Sequence, residues 1–257
     1  MMFATSNSRW ALALWLAVAA PAAAQTDATP HSPTVAAHAE QNFRAARERF
    51  HNQATNNEAG WQFARACFDR AEFATNNTER AMLAVEGISA ARDVAARAPK
   101  LAAGHYYLAM NLGQLARTKM LGALKLVGEM ECEFKTAHDL DEHLDFAGPD
   151  RNLGQLYFQA PGWPTSIGSH HKAREHLEHA VELAPEYPEN HLDLLEACLK
   201  WNDKKGVQRE LKAVGELWPA ARASFTGEKW ESIWADWEAR RARLTKEAQK
   251  IAAPRPR

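Results

Sequence analysis

Four histidines lie within ten residues of the chain, and they are the side chains best suited to bind a metal ion: His170, His171, His176 and His179. The last two are three residues apart, so on a helix they would share one face, as two ligands of one metal must. No cysteine or carboxylate completes a recognised ligand motif with them, so a solvated helix surface is favoured and no metal site is predicted. A second polar group is interpreted in the same way: His138, Asp139, Asp141, Glu142 and His143.

Motifs for covalent or cofactor chemistry are missing from the sequence. We find no nucleophile elbow, phosphate-binding loop, metalloprotease signature or dinucleotide fingerprint. The 31 Lys and Arg residues are scattered among 32 Asp and Glu residues, which gives a formal net charge of −1 and argues against nucleic-acid binding. We therefore expect a binding protein that is not an enzyme and that needs no cofactor.

The N-terminus has the pattern of a cleaved signal peptide. Arg9 precedes an apolar stretch at residues 10–20, and small residues at 21–24 precede Gln25. The stretch is short for a bilayer span, which favours cleavage over the alternative of a retained N-terminal anchor. We expect removal of residues 1–24, after Ala24, and export to the periplasm.

The chain has three cysteines, Cys67, Cys132 and Cys198, which are far apart in sequence. An odd number cannot all pair within one chain, and each lies among helix-forming apolar residues. The favoured interpretation is three buried thiols that pack as small apolar groups. One disulfide and one free thiol is the alternative.

Apolar residues recur at helical spacing through most of the chain, and no stretch alternates with the period of a strand. Residues 25–37 are expected to be a disordered leader, and residues 251–257 a tail. Between them the sequence predicts helices at 38–52, 58–74, 79–97, 102–117, 118–143, 149–158, 169–183, 188–201, 204–217 and 227–250.

A pattern of small, large and small residues followed by proline occurs three times with the same internal offsets. Its copies are Gly87-Ala91-Val94-Pro99, Ala173-Leu177-Ala180-Pro185 and Val207-Leu211-Val214-Pro219. This recurrence is typical of stacked helical hairpins. The small residues let two helices approach closely, the large one fills the gap to the next pair, and the proline ends the second helix.

The pattern resembles the tetratricopeptide repeat, which adds an aromatic position and a large–small pair on the first helix. Here Leu153-Gly154 and Tyr157 precede the set that begins at Ala173, and Cys198 precedes the set that begins at Val207. The resemblance implies an all-α fold, a short right-handed superhelical array of about four hairpins with a C-terminal capping helix. The repeats would span 58–99, 102–143, 149–185 and 188–219, and the cap 227–250, within one domain at 38–250.

The turns inside these hairpins differ in length. We measure each turn from the aromatic position of the first helix to the first small residue of the second helix. This separation is nine residues for Cys198–Val207, sixteen for Tyr157–Ala173 and eighteen for Leu112–Met130. The combination of such insertions with a signal peptide resembles the periplasmic T component of tripartite ATP-independent transporters. The stretched repeats also resemble those of a family of animal microtubule-dynamics regulators. The transporter resemblance implies two partners, a periplasmic solute receptor and a small hydrophobic ligand.

A helical array usually binds through its concave side, which is lined by the first helix of each hairpin. This places the candidate binding residues at Tyr106, Met110, Gln114, Arg151, Gln155, Phe158, Leu192, Glu196 and Lys200, with Gln62, Asp69 and Arg70 in the first repeat. The inserted turn supplies a further candidate group: Pro161, Gly162, Trp163 and Pro164. The alternative is that all of these are ordinary solvated positions.

Two apolar segments have two interpretations each. Residues 120–127 are apolar nearly all round, so they form either buried core, which is favoured, or the lining of a cavity. Trp230, Trp234 and Trp237 form one stripe of the last helix, and with Trp218 they either cover the open end of the array or bind a partner.

The sequence thus predicts an exported helical-repeat protein that binds a protein or a small hydrophobic ligand as an auxiliary component of a solute-uptake system. The alternative is a cell-envelope scaffold that gathers other proteins and has no ligand cavity. A second copy of the chain could also be the partner.

Overall fold

The computed structural model describes residues 33–119 and 122–252, and the all-α expectation is confirmed for them. The only bridge between backbone segments in these ranges is the isolated pair Gly162 and Gly168. No helix in them combines the length and hydropathy needed to cross a bilayer. They form ten helices: α1 Pro33–Asn52, α2 Asn57–Ala71, α3 Asn77–Arg97, α4 Ala102–Ala116, α5 Ala123–Leu140, α6 Gly148–Gln159, α7 His170–Leu183, α8 Pro188–Lys200, α9 Lys204–Ser224 and α10 Glu228–Ala252.

The helices belong to two compact units. The N-terminal unit comprises residues 33–141 with the loop 159–168, and it contains α1 to α5. The C-terminal unit comprises residues 142–158 and 169–252, and it contains α6, up to residue 158, and α7 to α10.

Several predicted boundaries fall at or beyond the ends of the described residues. The signal peptide at 1–24, most of the leader at 25–37 and residues 253–257 of the tail lie outside them. α1 begins at Pro33, five residues before its expected start, and α10 continues to Ala252. The helix expected over 118–143 instead begins at Ala123, because Gly122 adopts a φ of +84° that a right-handed helix does not contain.

Proline ends only two of the three second helices that were expected to stop there. Pro99 and Pro185 each lie two residues after the final residue of α3 or α7, directly after the C-cap residue. Pro219 instead lies inside α9, which continues to Ser224. An interior proline costs about 3 kcal/mol, whereas Trp218 and Phe225 are both buried in the apolar core, which is worth about 1.5–3 kcal/mol for each large side chain. The buried aromatic side chains therefore offset the proline.

Asparagine side chains begin two helices of the N-terminal unit. Asn56 accepts hydrogen bonds from the backbone N–H groups of Glu58 and Ala59, at 2.9 and 3.2 Å. Asn76 accepts from the N–H of Glu79 at 2.9 Å, and the Glu79 carboxylate accepts from the backbone of Thr75 at 2.7 Å. Asn76 and Glu79 together therefore cap the start of α3.

Close approach of α6 and α7 depends on Gly154 in the C-terminal unit. A Cβ atom at this position would lie 2.6 Å from the side chain of Leu177 and 3.1 Å from its backbone nitrogen. Leu177, Ala173 and Ala180 have no exposed surface. The prediction that small residues permit tight packing of this hairpin is confirmed.

The cysteines divide into two environments. Cys67 and Cys198 are buried, as predicted, and burial raises the pKa of both thiols, to about 11 for Cys198. Cys132 was expected to be buried, but it is exposed because it lies on the solvent side of α5. All three thiols are free, so the disulfide alternative is wrong for this structure.

We expect the substitution Gly154→Ala to destabilise the protein, because the added methyl group overlaps Leu177 and forces α6 and α7 apart. The free energy of unfolding should fall by about 1–3 kcal/mol. Gly128→Ala is the matched control, because a Cβ atom there meets nothing within 4 Å, and it should raise stability by about 0.5–1 kcal/mol. Urea unfolding followed by circular dichroism measures both; equal stabilisation by the two substitutions would contradict the packing argument.

Candidate functional site

Most of the residues predicted to line a concave binding surface are buried. Tyr106, Met110, Gln114, Arg151, Gln155 and Leu192 each expose 7% of their surface or less. Phe158 and Glu196 are partly exposed, and Lys200 is exposed. The prediction of an accessible surface is therefore wrong for six of the nine residues.

The reason is the number of neighbours that each first helix has. α4 packs against α2, α3 and α5, and α8 packs against α7, α9 and α10. Their polar side chains consequently make internal contacts. Gln114 donates a hydrogen bond to Glu72, which also accepts from Arg117 at 2.8 Å.

The polar candidates of the first repeat also have internal roles. Arg70 pairs with Glu40 of α1 and Glu79 of α3, both at 2.6 Å. Gln62 accepts from Arg49 at 2.9 Å. These pairs connect the first three helices of the N-terminal unit.

The inserted turn does present an exposed aromatic side chain. Trp163 is 89% exposed, and Gly162 and Pro164, beside it, are exposed too. The loop is closed by a hydrogen bond from the N–H of Gly168 to the carbonyl of Pro161 at 2.9 Å. A binding role for this loop stays a prediction.

The tryptophan stripe of α10 covers a core. Trp230, Trp234 and Trp237 expose 4% or less of their surface, and Trp234 packs edge to face on Trp218 with ring centroids 5.4 Å apart. The stripe is therefore buried in the core of the C-terminal unit, and its indole rings do not present an accessible surface. In the described part of the apolar segment on α5, Ala123 and Val127 are buried, whereas Leu124 is 38% exposed, so the buried-core prediction holds for only one side of the segment.

A histidine–carboxylate pair connects the two helices in two of the hairpins. His105 of α4 contacts Glu133 of α5 at 2.6 Å through Nδ1, and its Nε2 lies 3.1 Å from the carbonyl of Pro99. His191 of α8 repeats this arrangement, since its Nδ1 lies 2.8 Å from Glu210 of α9 and its Nε2 lies 3.0 Å from the carbonyl of Pro185. We call each such pair of a histidine and a carboxylate on the two helices of a hairpin a latch. Burial acts to raise the pKa of Glu210, but hydrogen bonds from His191 and Arg209 keep this pKa below its usual value.

The two latches occupy the same repeat positions. Each histidine lies seven residues before the first-helix aromatic position, at Leu112 or Cys198. Each glutamate lies three residues after the first small position of the second helix, at Met130 or Val207. The two latches therefore lie at equivalent positions of the aligned hairpins, although the turns inside these hairpins differ in length by nine residues. Sequence reasoning missed these residues, although their common offsets were visible.

The third hairpin carries the same pair in the reverse orientation. The equivalent positions are Asp150 on α6 and His176 on α7, and Asp150 Oδ1 lies 2.8 Å from His176 Nδ1. The second carboxylate oxygen lies 3.3 Å from Nδ1 of His179. These two histidines are therefore paired with a carboxylate and only partly exposed, so the solvated interpretation holds for them only in part, whereas His170 and His171 are exposed.

Arg151 fixes an unusual turn before α6. Asp145, Phe146 and Ala147 all have positive φ, between 54° and 59°, which costs a non-glycine residue about 1–2 kcal/mol. The fully buried guanidinium of Arg151 donates to the carbonyls of Phe146 and Asp145, at 2.9 and 3.2 Å, and to Asn190 Oδ1 at 3.0 Å. These charge-assisted bonds offset the strain, so Arg151 is a structural residue.

Two carboxylates one turn apart on α8 are buried around a single arginine. Arg240 of α10 lies 2.5 Å from Asp193 and 3.5 Å from Glu189. Burial raises the pKa of Glu189 to about 8 and raises that of Asp193, and Arg240 opposes both shifts. Burial acts to lower the pKa of Arg240, but the nearby Asp193, Glu189 and Glu196 raise this pKa above its usual value. The raised pKa of Glu189 favours its neutral form.

An exposed apolar row on α3 borders a groove in the N-terminal unit. Met82 is 62% exposed and Val85 53% exposed. At 100° per residue, these two lie on the side of α3 opposite Gly87 and Val94, which pack inward. The groove has a volume of about 600 Å³, and its lining, which we call the α3 groove, is Asn77, Thr78, Ala81, Met82, Val85, Glu86, Thr118 and Lys119. The sequence signal for it was an apolar pair outside the repeat positions.

No known family profile matches the chain, and no curated protein matches it at a significant level.

We expect the His191–Glu210 latch to couple the two side chains energetically. A double-mutant cycle with His191→Gln and Glu210→Gln should give a coupling of about 1–3 kcal/mol, because both groups are buried and hydrogen-bonded. The exposed pair His171 and Glu175, 3.7 Å apart, is the control and should give less than about 0.5 kcal/mol. Equal couplings would show that the latch contributes nothing specific.

The raised pKa of Glu189 predicts stability that falls as pH rises. Between the ordinary carboxyl value of 4.5 and about 8, the folded protein binds a proton that the unfolded chain releases. The free energy of unfolding should therefore decrease from pH 5 to pH 8, by on the order of 2–4 kcal/mol. Glu189→Gln should flatten this dependence, whereas the exposed control Glu216→Gln should leave it unchanged; an unchanged profile in Glu189→Gln would contradict the assignment.

Proposed function

We propose that this protein is an exported helical-repeat protein that binds an amphipathic helix of a protein partner in the α3 groove. The observation that carries the proposal is the row formed by Met82 and Val85, more than half exposed beside a groove of about 600 Å³. Contiguous exposed apolar side chains on a soluble domain are typical of interaction sites.

The chemistry of the groove fits a helix better than a small molecule. Its apolar residues run along α3, while Glu86 and Lys119 supply opposite charges at its border. A helix with one apolar stripe and flanking charges would match both features. The groove is open to solvent, and the apolar side of α5 is packed, with Val127, Met130 and Phe134 at most 1% exposed. These features favour a protein partner over an enclosed hydrophobic ligand.

The recurrence of the latch supports a tetratricopeptide-type array of four hairpins. His105–Glu133, Asp150–His176 and His191–Glu210 occupy matching positions in successive hairpins. Three hairpins built on one plan are what a repeat architecture requires, and repeat proteins commonly act by binding other proteins. From the stretched repeats and the signal pattern, we propose a periplasmic solute receptor as the partner.

Site-specific photocrosslinking in the periplasm tests this function. A photoreactive residue placed at Val85 should give one discrete adduct with a protein, and the same residue at Leu140, which is 37% exposed on α5, should not. The adduct is identified by mass spectrometry, and the identified protein is then purified for binding measurements with the full chain.

The substitution Met82→Glu should weaken that binding at least about tenfold, because a carboxylate would have to be buried against apolar surface. Its stability should change little, since Met82 is largely exposed. Leu140→Glu is the matched control and should leave the affinity unchanged. Absence of an adduct at position 85, or equal adducts at both positions, would overturn the proposed groove. A small molecule that co-purifies in native mass spectrometry would favour the ligand-carrier alternative.

A further inference from the structure

The two charged residues that border the α3 groove differ in whether their charge has a partner. The carboxylate of Glu86 lies 3.7 Å from Nε of Arg47 on α1, so its charge is already paired. The ammonium group of Lys119 is exposed and forms no ion pair with any residue in 33–119 or 122–252. The Lys119 end of the groove therefore carries a positive charge that no carboxylate in these ranges balances.

A second cation lies beside this end of the groove. Arg80 lies one turn after Asn77 on α3, and its Nη1 donates a hydrogen bond to Asn77 Oδ1 at 3.3 Å. Asn77 is itself part of the groove lining. The Nε atom of Arg80 is covered and meets no acceptor among the described residues, and no carboxylate among them pairs with Arg80. The guanidinium thus contacts a neutral amide, which leaves its charge uncompensated.

The electrostatic environment of Arg80 indicates the same excess of positive charge. Burial lowers the pKa of Arg80, and so does repulsion from Arg117, which directly precedes the groove residues 118–119. Attraction by Glu72 and Glu79 opposes this shift without cancelling it. Both carboxylates already pair with other arginines, at 2.8 and 2.6 Å. A further anion at this end of the groove would therefore be attracted.

The positive charge lies at one end of the apolar row. Only four residues join α3 to α4, so these two packed helices run antiparallel and the end of α4 lies near the start of α3. Lys119 therefore lies near Asn77, whereas Met82, Val85 and Glu86 follow further along α3. The groove residues of α3 cover about 14 Å of helix axis, at 1.5 Å per residue. A bound helix of two to three turns would extend from the positive end to the paired end.

These observations name the kind of helix that the groove would select. We propose that the bound amphipathic helix carries a carboxylate at one end of its apolar stripe, where Lys119 pairs with it and Arg80 adds positive charge. This inference rests on the proposed function, which makes a helix the occupant of the groove. A carboxylate is attracted to unpaired cations and an ammonium group is repelled. Glu86 is already paired, so binding has one preferred direction along α3.

Fluorescence anisotropy with labelled peptides and the purified full chain tests this selectivity. Three end-capped helical peptides of about 18 residues share one leucine stripe and differ at a single position at the end of the stripe, which is Glu, Gln or Lys. At low salt the Glu peptide should bind about threefold more tightly than the Gln peptide and about tenfold more tightly than the Lys peptide, because exposed ion pairs contribute modestly. In about 0.5 M salt these differences should largely disappear, because salt screens exposed charges.

Two variants assign the selectivity to the proposed residues. Lys119→Glu should invert the preference between the Glu and Lys peptides, and Arg80→Gln should reduce it. Lys100→Glu is the matched control and should leave the preference unchanged, because Lys100 is also exposed and unpaired in the described chain but lies beyond the other end of α3. Circular dichroism shows whether each variant is folded, and if Arg80→Gln is not, the exposed position 119 carries the test.

The substitution Met82→Ser separates this inference from the proposed function. It should weaken all three peptides by a similar factor, because it removes apolar surface without changing charge. If it does so while the three peptides bind equally, the groove stands and the carboxylate preference is overturned; inversion by Lys100→Glu would overturn the preference too. If Met82→Ser changes nothing, or no peptide binds more tightly than about 1 mM, the groove and the preference are both overturned.

Discussion

The structure depends on the close approach of paired helices at positions where one of them has almost no side chain. A Cβ atom at Gly154 would overlap the side chain of Leu177, and a Cβ atom at Gly87 would overlap the side-chain amide of Asn111. Asn111 donates hydrogen bonds to the carbonyls of Ala64 on α2 and Tyr107 on α4, both at 2.8 Å. Gly87 therefore leaves room beside α4 for an amide that connects α4 to α2. The Asp150–His176 contact joins the same two helices that approach closely at Gly154.

Buried polar contacts then distinguish one helix pairing from the others that apolar residues alone would allow. Leucine and alanine faces pack in several registers, whereas His191 meets both Glu210 and the carbonyl of Pro185 in only one. Arg151 has the same effect on the turn before α6, since its donors match three particular oxygen atoms on Phe146, Asp145 and Asn190. Ion pairs offset the cost of burying charge, as where Arg240 lies 2.5–3.5 Å from Asp193, Glu196 and Glu189.

The sequence predicts the helices well and their surfaces poorly. Small and large residues at fixed offsets require a hairpin whatever surrounds it, so Ala173, Leu177 and Ala180 could be placed in the interior from the sequence alone. The exposure of a side chain depends on how many helices surround the helix that carries it, and the spacing of residues along the sequence does not reveal that number. Tyr106 and Gln114 were accordingly expected on an accessible surface and are buried. The capping by Asn76 was predictable because it is local, whereas the extension of α9 beyond Pro219 depends on tertiary burial of Trp218 and Phe225.

The reversed latch shows that the repeat positions keep the contact while the side chains that make it change helices. In the second and fourth hairpins, the histidine lies on the first helix and the carboxylate on the second. In the third hairpin, the carboxylate of Asp150 lies on the first helix and the imidazole of His176 on the second. His179 lies three residues after His176 and therefore on the same face of α7. The contact that joins the two helices is kept, and the same carboxylate also contacts a second imidazole.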